Sequence, residues 1–310
     1  MSRLHVAKIS PVDLHCNGAA SIAPDDERYA CWGGPDNPGI WLGSLGKGLQ
    51  KRLAENGGPV LWLPDGRAIV YAEIVRDRPT MLYEVDVETG DRTAISATTY
   101  PVGGDHLQAL PDGRVAFLEK GPLQLWDPKT KTTKELQKIG CADPATQTAV
   151  ASYYTAVSPE GERVAEACAG SLHLIDVGTG MRLTLSDQVG IVVRPMAWSP
   201  DRRRLAISVQ PDSTRIAELW LANADGSSTH RLWRDEQARA FEWLTRMPDG
   251  QTLLFINNPG GTSFGPGYVY MVISVSGGPP KELFANGESL DLFDNGRKIL
   301  ISRSVKDAGD

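Results

Sequence analysis

The chain has 310 residues, 41% of them hydrophobic and 23% charged, which is the make-up of a folded protein with ample core rather than of a disordered or fibrous one. Its 32 basic residues face 38 acidic ones, and the net charge of −6 excludes a nucleic-acid partner held by phosphate neutralisation. No apolar run reaches the length of a bilayer, so no membrane span is expected. The chain opens on MSRLHVAKISPVDLHCNG, which has no apolar signal region. The expectation is a cytoplasmic protein, or a periplasmic or secreted one if a leader has been removed.

In chain order, one turn signal then recurs: Pro24 in APDDER, Pro64 in LPDGRAIVY, Pro111 in LPDGRVAFL, Pro159 in SPEGERVAE, Pro200 in SPDRRRLAI, Pro248 in MPDGQTLLF and Asp294 in FDNGRKILI. Proline fixes φ, Asp bonds back to the backbone and Gly accepts positive φ, so each copy closes a tight connection between two strands. The intervals of 40, 47, 48, 41, 48 and 46 residues lie in the range of propeller blades, and seven units fill the chain. A strand follows each turn, as in RAIVYAEI. Next comes an alternating strand with its own turn, as in MLYEVDVETG, LQLWDPKT, LHLIDVGTG and ELWLANADG, and a shorter polar strand such as HRLWR completes four. No stretch keeps a helical period, so the prediction is an all-β fold and one propeller domain over residues 1–310.

The pattern W-S-P-D-x-x-x-L-A-I from Trp198 to Ile207, echoed by W-L-P-D-G-R from Trp62 to Arg67, resembles the repeats of TolB-like β-propellers, which also form the propeller domains of prolyl oligopeptidase-type enzymes. The resemblance implies a seven-bladed propeller of four-stranded antiparallel blades. It carries no particular activity, since one propeller fold hosts many functions. Blade seven ends after GRKILISRS, and LHVAKIS with PVDLHC belongs to no other unit, so the N-terminal strands are expected to complete it.

Alignment of the units compares the inner strands. Two residues before the turn stand Ile22, Trp62, Ala109, Val157, Trp198, Arg246 and Leu292; four before stand Ala20, Val60, Leu107, Thr155, Met196, Leu244 and Leu290. These largely apolar sets share one face, expected to pack against a neighbouring blade. Six before the turn stand Gly18, Gly58, Asp105, Tyr153, Arg194, Glu242 and Glu288, at the end of the channel opposite the turns. Blades three to seven would present a polar crescent there, adjoined by His106, Tyr154 and Trp243 and rimmed by Trp32. The glycine-rich stretch NNPGGTSFGPGY, residues 257–268, projects at the same end.

The crescent supports two classes of function. One is a binding module for a peptide, a protein or a small polar ligand. The other is an enzyme at the same mouth, a metal-assisted lyase or hydrolase, with Asp105, His106, Tyr153, Arg194, Glu242 and Glu288 as candidate catalytic groups. Asp105, Glu242 and Glu288 could hold a hard divalent cation such as calcium, or divide acid and base work. The structural alternative is an interblade ion pair of Arg194 with Glu242.

Other chemistries fall away. There is no G-x-S-x-G elbow. GSLGKG at 43–48 lacks the spacing of a phosphate loop and reads as the second turn of blade one. The histidines His5, His15, His106, His173 and His230 form no metal spacing, and His173 reads as structural in a third strand. The run Arg202-Arg203-Arg204 reads as a solvated turn. Cys16 and Cys31, and Cys141 and Cys168, each flank the inner strand of one blade, which leaves pairing in an oxidising compartment open.

Overall fold

The computed structural model describes residues 16–33, 37–98, 107–118, 123–137, 141–142, 149–150, 155–168, 171–186, 191–210, 216–236, 240–247, 249–258, 269–285, 289–293 and 298–302. Six of the repeats form four-stranded antiparallel sheets in sequential order, and no described residue is helical. Blade one holds Cys16–Ile22, Arg28–Gly33, Ile40–Ser44 and Gly48–Ala54; blade two holds Val60–Trp62, Ala68–Glu73, Thr80–Asp86 and Arg92–Thr98. Blade three holds Leu107–Ala109, Val115–Leu118, Leu123–Asp127 and Thr132–Gln137; blade four holds Thr155–Val157, Arg163–Cys168, Ser171–Asp176 and Arg182–Ser186. Blade five holds Ile191–Trp198, Arg204–Gln210, Ala217–Asn223 and Thr229–Asp235; blade six holds Ala240–Arg246, Thr252–Asn258, Val269–Ser274 and Lys281–Ala285. The described part of blade seven is the pair Ser289–Phe293 and Lys298–Ser302. Its inner strand lies against the inner strand of blade one, so the last unit neighbours the first. The N-terminal segment expected to complete blade seven lies outside the described residues. A short hairpin, Cys141–Ala142 with Ala149–Val150, interrupts the connection from blade three to blade four; no strand pattern in the sequence announced it.

Each recurring turn folds for the reason its residues suggest. The third residue bonds back by its N–H to the carbonyl three positions earlier, as in Gly66 to Leu63, Gly113 to Leu110, Gly161 to Ser158 and Gly250 to Met247, and all four glycines have positive φ. The preceding Asp side chain caps the turn: Oδ1 of Asp65 accepts from the N–H of Arg67, and Oδ1 of Asp112 from that of Arg114, at 2.9 and 3.0 Å. The second turn, between third and outer strands, has its own cap. Asp86 Oδ1 accepts from the N–H groups of Glu88 and Thr89, and Asp176 Oδ1 from the N–H and hydroxyl of Thr179. GSLGKG is such a turn, with the Lys47 N–H on the Ser44 carbonyl.

Among the described strands, neighbouring blades share no backbone ladder, and side chains join them. The core is a series of apolar clusters, five of them among the described residues spanning two blades. Tyr71 and Val85 of blade two pack with Ala30 and Ile40 of blade one, and Trp198 and Leu205 of blade five with Ala156 and Leu172 of blade four. The inner-strand positions two and four before the turn supply much of this: Ala20, Ile22, Trp62, Leu107, Val157, Met196, Trp198 and Leu244 are all buried.

Polar groups add a repeated staple. The residue three before one turn reaches the backbone two before the next. Ser21 Oγ accepts from the Trp62 N–H at 3.1 Å, and Gln108 both donates to the Val157 carbonyl at 2.9 Å and accepts from its N–H at 3.1 Å. An arginine just after one turn then donates to the next turn's backbone. Arg28 bonds the Gly66 carbonyl, Arg114 that of Glu160, Arg163 that of Arg202 and Arg204 that of Gly250. Arg28 also covers the ring of Trp62, and Arg163 that of Trp198, at 5.0 and 5.3 Å. The triple-arginine run is therefore more than a solvated turn, because Arg204 is one of these fasteners.

Candidate functional site

The two ends of the ring are built differently. At the turn end, the connection from inner to second strand is five residues long in blades one to six, at 23–27, 63–67, 110–114, 158–162, 199–203 and 247–251. At the mouth, the connections range from two residues at 169–170 to seventeen at 138–154, and include ten at 259–268. The mouth is thus the end where chain length is free to vary, as it is where loops carry ligands.

Arg194, Glu242 and Trp243 sit on inner strands near that end. Arg194 pairs with Ser208 and Glu242 with Ile256, and their side chains lie outside the described set. Asp105, His106, Tyr153, Tyr154 and Glu288 also lie outside the described residues. The register departs from simple alternation here. Leu244 pairs with Phe255 and Glu242 with the adjacent Ile256, so a bulge separates them. Further irregularities fall between Val192 and Arg194, between Arg194 and Met196, and between Cys16 and Ala20. An extra residue in one strand breaks the period of two, so counting in twos from four to six residues before the turn fails in blades five and six. Bulges of this kind re-aim side chains and are common next to sites.

Around these strands the described mouth carries three other features. A disulfide joins Cys16 and Cys31, with Cα atoms 5.9 Å apart, and pins the inner strand of blade one to the second across its bulge. Cys141 and Cys168 have no described side chains. Trp32 is the penultimate residue of the second strand of blade one and packs on the cluster shared with blade two. A Cβ on Gly57 would lie 2.5 Å from its Cδ1, so glycine is needed there to admit the ring. The aromatic rim expected at Trp32 is thus half-buried against core. At the base of the 259–268 connection, Asn257 donates from Nδ2 to Asp235 Oδ2 of blade five at 2.9 Å, while its buried Oδ1 has no partner among the described residues.

Among the described residues, no three His, Cys, Asp or Glu side chains gather as a metal site would require. The carboxylates Asp105, Glu242 and Glu288 are outside that set. His173 is where the sequence placed it, on the third strand of blade four opposite Glu166, with Nδ1 3.2 Å from Thr184 Oγ1. Burial, then the charge of Arg182, holds its imidazole below the ordinary value. Glu166 is fully buried and pairs with Arg182 at 2.9 Å. Glu218 in blade five takes Arg231 at 2.9 Å and the Trp220 indole N–H at 2.8 Å. The first cluster runs from the second to the outer strand of blade four and the other from the third to the outer strand of blade five, and both read as blade structure. None of the described residues forms a helix long and apolar enough to cross a membrane, which says nothing of a β-barrel.

No protein-family model matches the sequence, and no curated protein does. Solved structures do match in fold. An oligogalacturonate lyase from Vibrio parahaemolyticus is 15% identical, with a TM-score of 0.61 over 93% of this chain and 84% of its own. An oligogalacturonate lyase in complex with manganese gives 14% identity and 0.61 over 91% and 81%. Hydrazine synthase from Kuenenia stuttgartiensis gives 16% identity and 0.55 over 79% and 73%. At such identities the likeness is one of fold, that of a propeller of four-stranded antiparallel blades.

Proposed function

We propose that the protein is a binding propeller that holds a peptide, a protein segment or a small polar ligand at the mouth of its channel. Asp105, His106, Tyr153, Tyr154, Arg194, Glu242, Trp243 and Glu288 would form the polar crescent, and Trp32 its rim. The observation that carries this reading is the contrast between the constant five-residue inner-to-second connections of blades one to six at one end and connections of two to seventeen residues at the other. Inner-strand bulges beside Arg194 and Glu242 add to it, as does the Oδ1 of Asn257 at the same end, which has no partner among the described residues. The disulfide supports an oxidising compartment, periplasmic or secreted, over the cytoplasm.

A second reading, a metal-assisted lyase or hydrolase at the same mouth, is favoured by the likeness to an oligogalacturonate lyase in complex with manganese. Asp105, Glu242 and Glu288 would supply the hard oxygen ligands that manganese or calcium prefers, and Arg194 a partner for an acidic substrate. The test is calorimetric titration with Mn²⁺ and Ca²⁺, then acidic oligosaccharides and peptides, on the wild type and on Glu242→Gln and Glu288→Gln. Peptide binding without metal supports the first reading. A metal that both variants lose, with turnover of an acidic oligosaccharide, supports the second. Binding that ignores both variants removes the crescent from the account.

A further inference from the structure

The turn end departs from its repeat in blade five. Between blades four and five, a groove of about 870 Å³ is lined by Arg163, Arg202, Arg203 and Arg204, with Asp201 and Asp225. It lies at the opposite end of the ring from the mouth, because its residues belong to both turns of blade five and to the strand start after the turn of blade four.

The local backbone there is unlike its equivalents. The Arg202 N–H bonds the Ser199 carbonyl at 2.9 Å, the same bond that Gly66, Gly113, Gly161 and Gly250 make in their turns. Arg202 therefore occupies the glycine position, with φ at +64°. Of the six turns described at this position, the remaining non-glycine is Asp26 of blade one, and Asp tolerates this conformation through its short side chain. An arginine there is strained, and strain held against an available glycine points to a use for the side chain.

The charges around the groove are not all spent. Arg163 is committed to Glu160 at 3.2 Å and to the Arg202 carbonyl, and Arg204 to the Gly250 carbonyl. These two fix the shape of the wall. The carboxylates are committed too: Asp201 Oδ1 accepts from the Arg203 N–H, and Asp225 Oδ1 from the Ser227 N–H. Arg202 has a long ion pair to Glu160 at 3.5 Å, and the Arg203 guanidinium has no partner among the described residues. Two planar forks thus stand exposed over a rigid wall, the arrangement that takes paired anionic oxygens.

We propose that this groove is an anion site distinct from the mouth, and that it takes a small molecule bearing two or more carboxylate or phosphate groups. Pyrophosphate and citrate are the probes, titrated calorimetrically into the whole chain at fixed ionic strength. The wild type binds at least one of them. Pyrophosphate alone marks a phosphate ligand, and citrate alone a carboxylate one. Arg202→Gly and Arg203→Ala each weaken binding by about tenfold or more. Arg202→Gly also leaves the ligand-free melting temperature unchanged or higher, since glycine takes this backbone without strain. The proposal is overturned if the wild type binds neither probe, or if either variant binds as the wild type does.

Discussion

The turn end and the mouth of this ring follow different rules. At the turn end one chemistry is repeated around the ring: a capped five-residue connection, an arginine fastened to the next turn's backbone, and a tryptophan or aliphatic residue beneath it. At the mouth the connections range from two to seventeen residues, inner strands bulge, and a disulfide replaces repetition as the fastener of blade one. A ring of parallel-running inner strands without a shared ladder needs identical joints at one end to close. With closure provided there, the other end can diverge.

The contrast predicts where substitutions are costly. Trp198 is buried, donates from Nε1 to the Ala156 carbonyl of blade four at 3.0 Å and is covered by Arg163. Trp198→Ala should destabilise by about 3–5 kcal/mol in urea unfolding. Glu242→Gln at the mouth should stay within about 0.5 kcal/mol, as surface changes do. Equal costs would erase the distinction between the ends.

The disulfide is the mouth's own staple, closing a loop with a sequence separation of 15. Reduction, or Cys16→Ser with Cys31→Ser, should lower stability by about 3 kcal/mol, read as a fall in melting temperature under reductant. Unchanged melting would return the mouth of blade one to ordinary packing.

A smaller effect is expected at Gln108, whose amide spans from blade three to both backbone groups of Val157. Gln108→Ala should cost about 1–3 kcal/mol by leaving those buried groups unmet. If the loss is nil, the polar staple is secondary to the apolar clusters.

Acid should act first on the turns. Hydrogen bonds from the Thr179 hydroxyl and N–H hold Asp176 below its ordinary value, those from the Ser227 hydroxyl and N–H do the same for Asp225, and the Thr89 N–H leads for Asp86. A lowered carboxylate contributes stability that is present above its unfolded value near 3.8 and lost as pH falls through the lower folded value. Hydrogen exchange should therefore show the third-to-outer turns opening below about pH 4, and Asp176→Asn should flatten that part of the profile.

Much of the ring was legible because its signals are local. Pro-Asp-Gly and Asp-x-x-Thr-Gly report a turn within five residues, and their spacing counts the blades. The fasteners were not legible, because Arg28 and Gly66 or Gln108 and Val157 meet only when blades stack; nothing in the residues between them encodes the meeting. The crescent lies largely outside the described residues. Arg194, Glu242 and Trp243 do lie on inner strands near the mouth. Their face was read by counting in twos, and bulges defeat that count, since an extra residue leaves no mark in the side-chain pattern. Pairing of Cys16 with Cys31 was left open for a related reason: spacing permits it, and only the register of two strands brings the sulfurs together.

The central claim is that ligands are taken at the mouth and that its polar residues are not structural staples. Its most direct test is paired unfolding and calorimetry on one variant, Arg194→Ala with Glu242→Gln and Glu288→Gln, beside the wild type. The account predicts unchanged ligand-free stability and loss of whichever metal, peptide or acidic oligosaccharide the wild type binds. Lowered stability with ligand binding intact would contradict it and would make the crescent the joint between blades.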